Sequence, residues 1–240
     1  MYVTTIPMIN VALAFIPVLV VLVVMFWWSL AIGDSVVAVG RMLIQLVVIG
    51  YALTWIFEVD SPLLVLGLLS TMLLIASSIA LRPLAERRTE GDYARALLSI
   101  ACGGGLTLAF MTYFVLTLDP WYQANIMIPL AGMIFASSMN VVSVAAERLH
   151  MEIDHGSPPT TARNQAFKAG LIPIFNSLLA VGLVSLPGMM TGQILSGVSP
   201  LIAVRYQIVV MCMITGASGM SAALYLYLQG KKQRAVSTNL

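Results

Sequence analysis

An α-helix needs about 20 predominantly apolar residues to cross the roughly 30 Å of hydrocarbon in a bilayer, and seven segments of this chain meet that requirement. They cover residues 7–30, 36–57, 62–81, 96–118, 126–146, 170–195 and 204–228. Only 9% of the residues are charged, whereas soluble domains carry about 25%. Backbone groups in lipid must pair internally, so these segments are expected to be helices. The sequence predicts an all-α fold, a polytopic membrane bundle of about seven transmembrane helices in one domain over residues 1–240.

The distribution of basic residues predicts which side of the membrane each loop faces. With the N-terminus outside, eleven of the twelve Lys and Arg residues fall on the cytosolic side. They are Arg41, Arg82, Arg87, Arg88, Arg95, Arg148, Arg163, Lys168, Lys231, Lys232 and Arg234. The other side receives Arg205 with Glu58, Asp60 and Asp119. Because Lys and Arg are enriched in cytosolic loops, we predict an outside N-terminus and a cytosolic C-terminus.

The sixth apolar segment contains the run SLPGMMTG at residues 185–192, which interrupts a regular helix. Pro187 has no N–H, so it cannot donate to the carbonyl of Leu183. Gly188 and Gly192 have the spacing that lets a second helix approach closely. The run indicates either a broken helix whose freed carbonyl lines a polar path or a proline kink in the packing. Both interpretations stay open.

Other small, polar and sulfur-containing side chains lie inside the predicted spans. Ser137, Ser138, Asn140 and Ser143 must bond across helices or face water. The methionines either fill gaps between helices or offer thioethers to a soft metal; those in the spans include Met133, Met139, Met189, Met190, Met211 and Met213. Residues 103–105 (GGG) and 215–223 predict close helix packing. Cys102 and Cys212 are interpreted as small buried hydrophobic residues.

The sequence shows no energy source of its own. It has no phosphate-binding G-x-x-x-x-G-K-[ST] motif, and no nucleophile has an evident base, which argues against an enzyme. All ten acidic residues fall in loops or at the ends of spans, so no carboxylate is expected to be buried. Carriers driven by protons or sodium usually bury a carboxylate or a histidine. The sequence therefore suggests a permease that a partner drives.

The loop between the fifth and sixth spans carries the weak candidates for a metal site. Glu147, His150 and Asp154 fall on one helical face, and His155 follows directly. These residue types could bind a divalent metal at the inner mouth of the bundle. The alternative is a solvated, charged helix end.

Several stretches of the sequence resemble one family of permeases. They are Val39-Gly40-Arg41 with Gln45 and Gly50-Tyr51, residues 128–134 (IPLAGMI), Leu171-Ile172-Pro173, residues 181–190 (VGLVSLPGMM) and Tyr206-Gln207. They resemble the FetB (YbbM) type of permease, half of an iron-export ABC transporter, whose plant relatives are tied to aluminium tolerance. The resemblance extends from about residue 39 to residue 228.

The resemblance implies a subunit that exports iron, another metal or a metal-linked solute across the bacterial inner membrane. A separate cytosolic ATPase would bind ATP and Mg²⁺, this chain would hold no cofactor, and two copies of each subunit would assemble. Membrane lipid would surround the bundle, and no nucleic acid would bind. The residues implied for ATPase docking are Gly156, Pro159, Ala162 and Arg163.

The expected substrate path combines the polar residues within the spans with the stretches that resemble the family. It comprises Arg41, Gln45, Tyr51, Met133, Ser137, Met139, Asn140, Asn176, Ser185, Pro187, Gly188, Met189, Met190 and Gln207. None of these is a carboxylate, so neutral dipoles would hold any cation. ATP binding to the partner would move residues 82–95 and 147–168 and tilt the fifth and sixth spans about Pro187. The alternatives are a transporter or channel that needs no ATPase and a scaffold that transports nothing.

Overall fold

The computed structural model describes residues 6–59, 61–85, 87–89 and 91–238. Asp60 lies outside these residues, and the side chains of Lys232 and Arg234 are likewise not described. The described regular structure is helical apart from one isolated β-bridge between Val181 and Ser185. The all-α prediction is therefore confirmed. The chain divides into two compact units, Met1–Val59 and Asp60–Leu240; the single membrane domain stays a prediction.

Residues 6–59, the described part of the first unit, form three helices. They are α1 (Met8–Leu13), α2 (Ile16–Trp27) and α3 (Gly33–Glu58). A short turn separates α1 from α2, and the hydroxyl of Ser35 at the start of α3 lies 3.6 Å from the sulfur of Met25 in α2. At 26 residues, α3 is about 39 Å long, enough to cross a bilayer.

The described residues of the second unit form seven α-helices with two π-helical segments among them. They are α4 (Pro62–Ala80), α5 (Asp92–Ile100), a π segment (Ala101–Gly105), α6 (Leu106–Phe110), a second π segment (Met111–Val115), α7 (Ala124–Asp154), α8 (Pro159–Ala180), α9 (Gly188–Leu195) and α10 (Pro200–Thr238). A short 3₁₀ helix, Arg82–Leu84, follows α4. The fourth predicted span thus corresponds to α5, α6 and the two π segments together.

The core of the second unit is built on α7 and α10. These two helices pack against each other, α8 packs against both, α4 packs on α7, and α5 with its π segment packs on α10. Val141, Ile174 and Ala222, one from each of α7, α8 and α10, form a buried cluster. Large apolar side chains such as Leu63, Leu179 and Leu201 remain exposed, as expected of a surface that faces lipid.

The triple glycine in the first π segment allows close packing, as the sequence predicts. A Cβ at Gly103 would lie 2.4 Å from Oγ and 2.5 Å from the backbone nitrogen of Ser221 in α10. A Cβ at Gly104 would lie 2.9 Å from Ile134 in α7. The absence of side chains at Gly103 and Gly104 therefore brings this segment against both core helices.

Six helical segments among the described residues are long and apolar enough to cross a membrane. They are Met8–Trp27, Gly33–Glu58, Pro62–Ala80, Asp92–Val115, Ala124–Asp154 and Pro200–Lys231. These correspond to six of the seven predicted spans. The sixth predicted span, residues 170–195, is instead divided between α8, a turn and α9. This division corresponds to the broken helix that the sequence left open for this span.

Candidate functional site

A cavity of about 240 Å³ lies where the start of α7 meets α9 and the first turns of α10. We call it the amide cavity. Its polar side chains are Asn125, Gln193 and Tyr206, and Met189 adds a thioether. The other lining residues are apolar: Leu116, Leu118, Ile126, Pro129, Leu130, Val209 and Val210. It is therefore an apolar pocket with a few convergent polar groups, the usual form of a small-ligand site.

Two proline positions shape the backbone around the amide cavity. Pro129 lies inside α7 and has no N–H to donate to the carbonyl of Asn125 one turn earlier. Pro187 precedes α9 with an extended backbone, and its carbonyl accepts a 3.0 Å hydrogen bond from the N–H of Thr191. Met189 and Gln193 stand four residues apart on α9 and therefore share a face, which lines the cavity.

Gln193 gives the amide cavity an acceptor that the protein leaves unused. Its side-chain oxygen is buried and has no hydrogen-bond partner among the described residues. An unsatisfied buried acceptor costs about 1–3 kcal/mol. A bound cation or hydrogen-bond donor would remove that cost. No lining residue is Asp, Glu, His, Lys or Arg, so the cavity can hold a solute through neutral dipoles only.

The helix is interrupted between α8 and α9 by a turn, and this turn differs from the kink that was expected at Pro187. The helix already ends at Ala180, whose carbonyl accepts from the N–H groups of Leu183, Val184 and Ser185 at 3.3, 2.8 and 3.1 Å. Gly182 has a φ of +87°, which non-glycine residues rarely adopt. Pro187 is therefore the N-cap of α9, and the interpretation that it kinks a continuous helix is wrong. Of the two interpretations left open above, the broken helix is the one observed.

The residues predicted for the substrate path are spread over several surfaces. Met189 lines the amide cavity, whereas Met190 and Gln207 line a different groove. Ser137 accepts a 2.9 Å hydrogen bond from Ser218 that ties α7 to α10. Met133 and Met139 are half-buried, and Asn140, Asn176, Ser185 and Gly188 are exposed. Arg41, Gln45 and Tyr51 are exposed on α3 in the first unit.

Two expectations about small residues and cysteines fail. A Cβ added at Gly188 or Gly192 would meet no atom within 4 Å, so no helix of the described chain packs closely on that pair. Cys212 is exposed and Cys102 is half-buried, so neither is the buried hydrophobic residue that was expected.

The four weak metal candidates engage other groups or face solvent. The imidazole Nδ1 atoms of His150 and His155 lie 2.9 and 2.6 Å from the carbonyls one turn before them. Asp154 forms an ion pair with Arg87, and Glu147 is exposed. Within the part of the chain that the structure describes, no three His, Cys, Asp or Glu side chains come together to hold a metal. The geometry gives that site no support.

A buried carboxylate lies at the end of the second unit opposite the amide cavity, where α5 begins. Asp92 is only 2% exposed. It accepts hydrogen bonds from the Thr89 N–H and hydroxyl at 2.8 and 2.7 Å, from Arg95 at 2.5 Å and from Gln229 of α10 at 2.9 Å. The Gln229 amide also donates to the Tyr225 hydroxyl at 2.9 Å. The inference that this chain buries no carboxylate is therefore wrong.

Sequence reasoning missed this cluster because Asp92 belongs to a charged stretch that reads as a solvated loop. A local signal was present, since Thr89 and Asp92 have the [ST]-x-x-[DE] spacing of a helix start. The partner residues Tyr225 and Gln229 stand four apart on α10, and no local pattern connects them to Asp92.

The residues predicted for ATPase docking lie at the connection between α7 and α8. Gly156 has a φ of +76° in the turn, and Pro159 is the first residue of α8. Ala162 is buried, whereas the next residue, Arg163, is exposed. Arg163 also lines a small groove with Asn164, Phe167 and Tyr227. The turn itself is held by a 2.7 Å hydrogen bond from Ser157 to Glu152.

The comparison with known proteins decides the family. Residues 8–233 match the family model described as Uncharacterised protein family (UPF0014). The chain belongs to this family. It is 38% identical to UPF0014 membrane protein slr1647 of Synechocystis sp., over 76% of each chain. No solved structure matches the chain.

Two further relatives of this UPF0014 chain connect it to the family named from the sequence. It is 31% identical to "Probable iron export permease protein FetB" of Escherichia coli, over 93% of this chain and 90% of that protein. It is 33% identical to "Protein ALUMINUM SENSITIVE 3" of Arabidopsis thaliana, over 92% and 85%. The resemblance to FetB-type permeases and their plant relatives is thus confirmed.

Proposed function

We propose that this chain is the membrane subunit of an ABC-type exporter and moves a metal ion, or a metal-linked solute, out of the cytosol. The amide cavity is the observation that carries the proposal. It offers amide, phenol and thioether donors inside an apolar bundle, and it leaves one buried amide oxygen unused. The relative named as an iron export permease supports iron as the first cargo to test.

The energy would come from a separate cytosolic ATPase that binds ATP and Mg²⁺. No charged or histidine side chain lines the amide cavity, so a bound proton or sodium ion has no evident carrier there. The chain would cross the bacterial inner membrane with its N-terminus outside. The connection between α7 and α8, with Arg163, would then face the ATPase.

Two long helices connect the proposed ATPase face to the amide cavity. Tyr206 lines the cavity on α10, and Gln229 on the same helix binds Asp92; the two positions are about 35 Å apart at the helical rise per residue. On α7, Asn125 lines the cavity and Asp154 pairs with Arg87. A displacement of the cytosolic loops would therefore reach the cavity through rigid helices.

A homodimer would explain two polar side chains on the surface of the second unit. Asn140 on α7 and Asn176 on α8 lie within predicted spans and are exposed. An unpaired amide in hydrocarbon costs several kcal/mol, so we expect protein rather than lipid to cover these positions. A second copy of the chain would provide that cover and give the two-and-two complex.

Substitution of Gln193 tests whether the amide cavity binds the cargo. The measurement is ATP-dependent Fe²⁺ uptake into inside-out vesicles that contain this chain and its ATPase. We expect Gln193→Leu to raise the KM for Fe²⁺ about tenfold, because it removes one oxygen donor worth about 1.4 kcal/mol. Met189→Leu should raise the KM by a smaller factor, since a thioether binds a harder ion weakly.

Gln165→Leu is the matched control, because Gln165 is an exposed glutamine on α8 that does not line the cavity. Its KM should equal that of the unaltered protein. An unchanged KM in Gln193→Leu, with transport otherwise intact, would contradict the assignment of the cavity as the cargo site.

A further inference from the structure

A second groove, separate from the amide cavity, is rich in sulfur. It lies between the end of α8, the turn that follows it, α9 and α10, and has a volume of about 350 Å³. Met190, Met211 and Cys212 line it together with Gln207. The remaining lining residues are aliphatic or glycine. We call it the sulfur groove.

The helical register brings these donors to one place. Gln207 and Met211 are four residues apart on α10 and are therefore neighbours on its surface. Cys212 follows Met211 directly and stands four residues after Ile208, which also lines the groove. Met190 comes from the first turn of α9, which packs against α10. Two helices thus supply two thioethers, a thiol and an amide to the same groove.

Gln207 is an independent sign that the groove takes a ligand. Its side chain is buried, with only 6% of the residue exposed, and its Oε1 has no hydrogen-bond partner among the described residues. Lipid cannot satisfy that acceptor, and an unmet buried acceptor costs about 1–3 kcal/mol. A cation bound beside the three sulfur atoms would satisfy it.

The donor set selects the class of ion. Thioether and thiolate ligands favour soft ions such as Cu(I), whereas hard divalent ions favour carboxylate and carbonyl oxygen. Cys212 is the one lining side chain of this groove that can become an anion, and a single thiolate charge matches a monovalent ion. A monovalent soft ion would displace the thiol proton of Cys212 to solvent, and the ion with its thiolate would be neutral.

We propose that the sulfur groove binds one soft monovalent cation of the Cu(I) and Ag(I) type through Cys212, Met190 and Met211, with Gln207 as an oxygen donor. No oxidation or reduction accompanies binding; one proton leaves for each ion bound. The proposal does not rest on the transport function, because it concerns binding to the isolated chain.

Silver binding to the purified full-length chain tests the proposal. The probe is Ag⁺, a redox-inert ion, in chloride-free detergent solution, and equilibrium dialysis with metal analysis gives stoichiometry and affinity. We expect one tightly bound Ag⁺ per chain. Cys212→Ser should weaken binding at least tenfold, and Met190→Leu, Met211→Leu and Gln207→Leu should each weaken it several-fold. The methionine replacements keep side-chain volume, so these variants should fold normally.

The chain offers a matched control for each ligand type. Cys102→Ser removes the other cysteine, and Met213→Leu changes a buried methionine on α10 that does not line the groove. Both controls should bind Ag⁺ as the unaltered chain does. In the Cys102→Ser protein, Ag⁺ should also protect the remaining thiol from a methanethiosulfonate reagent. Absence of saturable binding, equal loss in Cys102→Ser and Cys212→Ser, or no protection of Cys212 would overturn the proposal.

Discussion

Asp92 is buried although it comes from a charged connecting segment. Its carboxylate accepts hydrogen bonds from Thr89, just before its own helix, and from Gln229 of α10. Buried charges persist in proteins when they are paired and fully hydrogen-bonded. The residue therefore fixes α5 against α10 at one end of the second unit.

Replacement of Asp92 should therefore cost stability. Asp92→Asn keeps the shape of the side chain but removes the charge that the Arg95 guanidinium binds, so we expect a loss of about 2–4 kcal/mol. Thermal unfolding of the purified protein in detergent measures this as a lower Tm. Asp119→Asn, at an exposed aspartate, is the control and should unfold within about 0.5 kcal/mol of the unaltered protein. Equal Tm values for the two variants would contradict the role given to Asp92.

At the scale of single elements, the first π segment depends on a glycine that no other residue can replace. A Cβ at Gly103 would overlap both the hydroxyl and the backbone nitrogen of Ser221. Because a backbone atom is involved, a rotamer change in Ser221 cannot relieve the overlap. The helix would have to move away from α10.

Gly103→Ala should therefore destabilise the protein by about 1–3 kcal/mol, the usual cost of overpacking. Gly105→Ala is the matched control, since a Cβ there would meet nothing within 4 Å. In chemical denaturation with a suitable detergent, the control should be as stable as the unaltered protein or slightly more stable. If both alanine variants lost the same stability, close packing at Gly103 would not be the cause.

The turn between α8 and α9 rests on a second glycine. Gly182 has a φ of +87°, and its N–H donates to the carbonyl of Ser185 at 2.9 Å. Gly182→Ala should cost about 1–2 kcal/mol because a side chain disfavours this conformation. Gly188→Ala, at the open start of α9, should cost less than that. Thermal unfolding of the two variants compares the stability that each one loses. Equal losses would contradict a specific role for the positive φ of Gly182, because the segment would then be sensitive to any added side chain.

The elements differ in how far the sequence predicts them. Six spans follow directly from the length of the apolar segments, because burial in lipid leaves a helix as the only choice. Pro187 and the glycines around it indicate that the sixth span is interrupted. They do not indicate the residue at which the helix ends. The helix ends at Ala180 because its carbonyl accepts hydrogen bonds from the N–H groups of the glycine-containing turn that follows, and the pattern of apolar residues does not encode where that turn forms. Met189 and Met190 look equivalent in sequence, but they line different cavities.

At the scale of the whole molecule, the second unit carries a cavity and two polar clusters at opposite ends of its long helices. The amide cavity lies where α7 and α10 come closest to α9, and the polar clusters of Asp92 and Arg87 lie at the opposite ends of those helices. From the distribution of basic residues we propose that the second end faces the cytosol. The proposed function then requires that energy enter at the cytosolic face and that the cargo bind about 35 Å away.

The most direct test is Fe²⁺ accumulation in inside-out vesicles that contain the chain either alone or with its ATPase. We expect accumulation against a gradient only when both subunits, ATP and Mg²⁺ are present. Arg163→Glu should abolish this ATP-dependent accumulation, whereas Arg205→Glu, at an exposed arginine on α10, should leave it intact. Uphill accumulation by the chain alone would contradict the proposed dependence on an ATPase. An intact complex that hydrolyses ATP without moving a metal would contradict the proposed export of a metal.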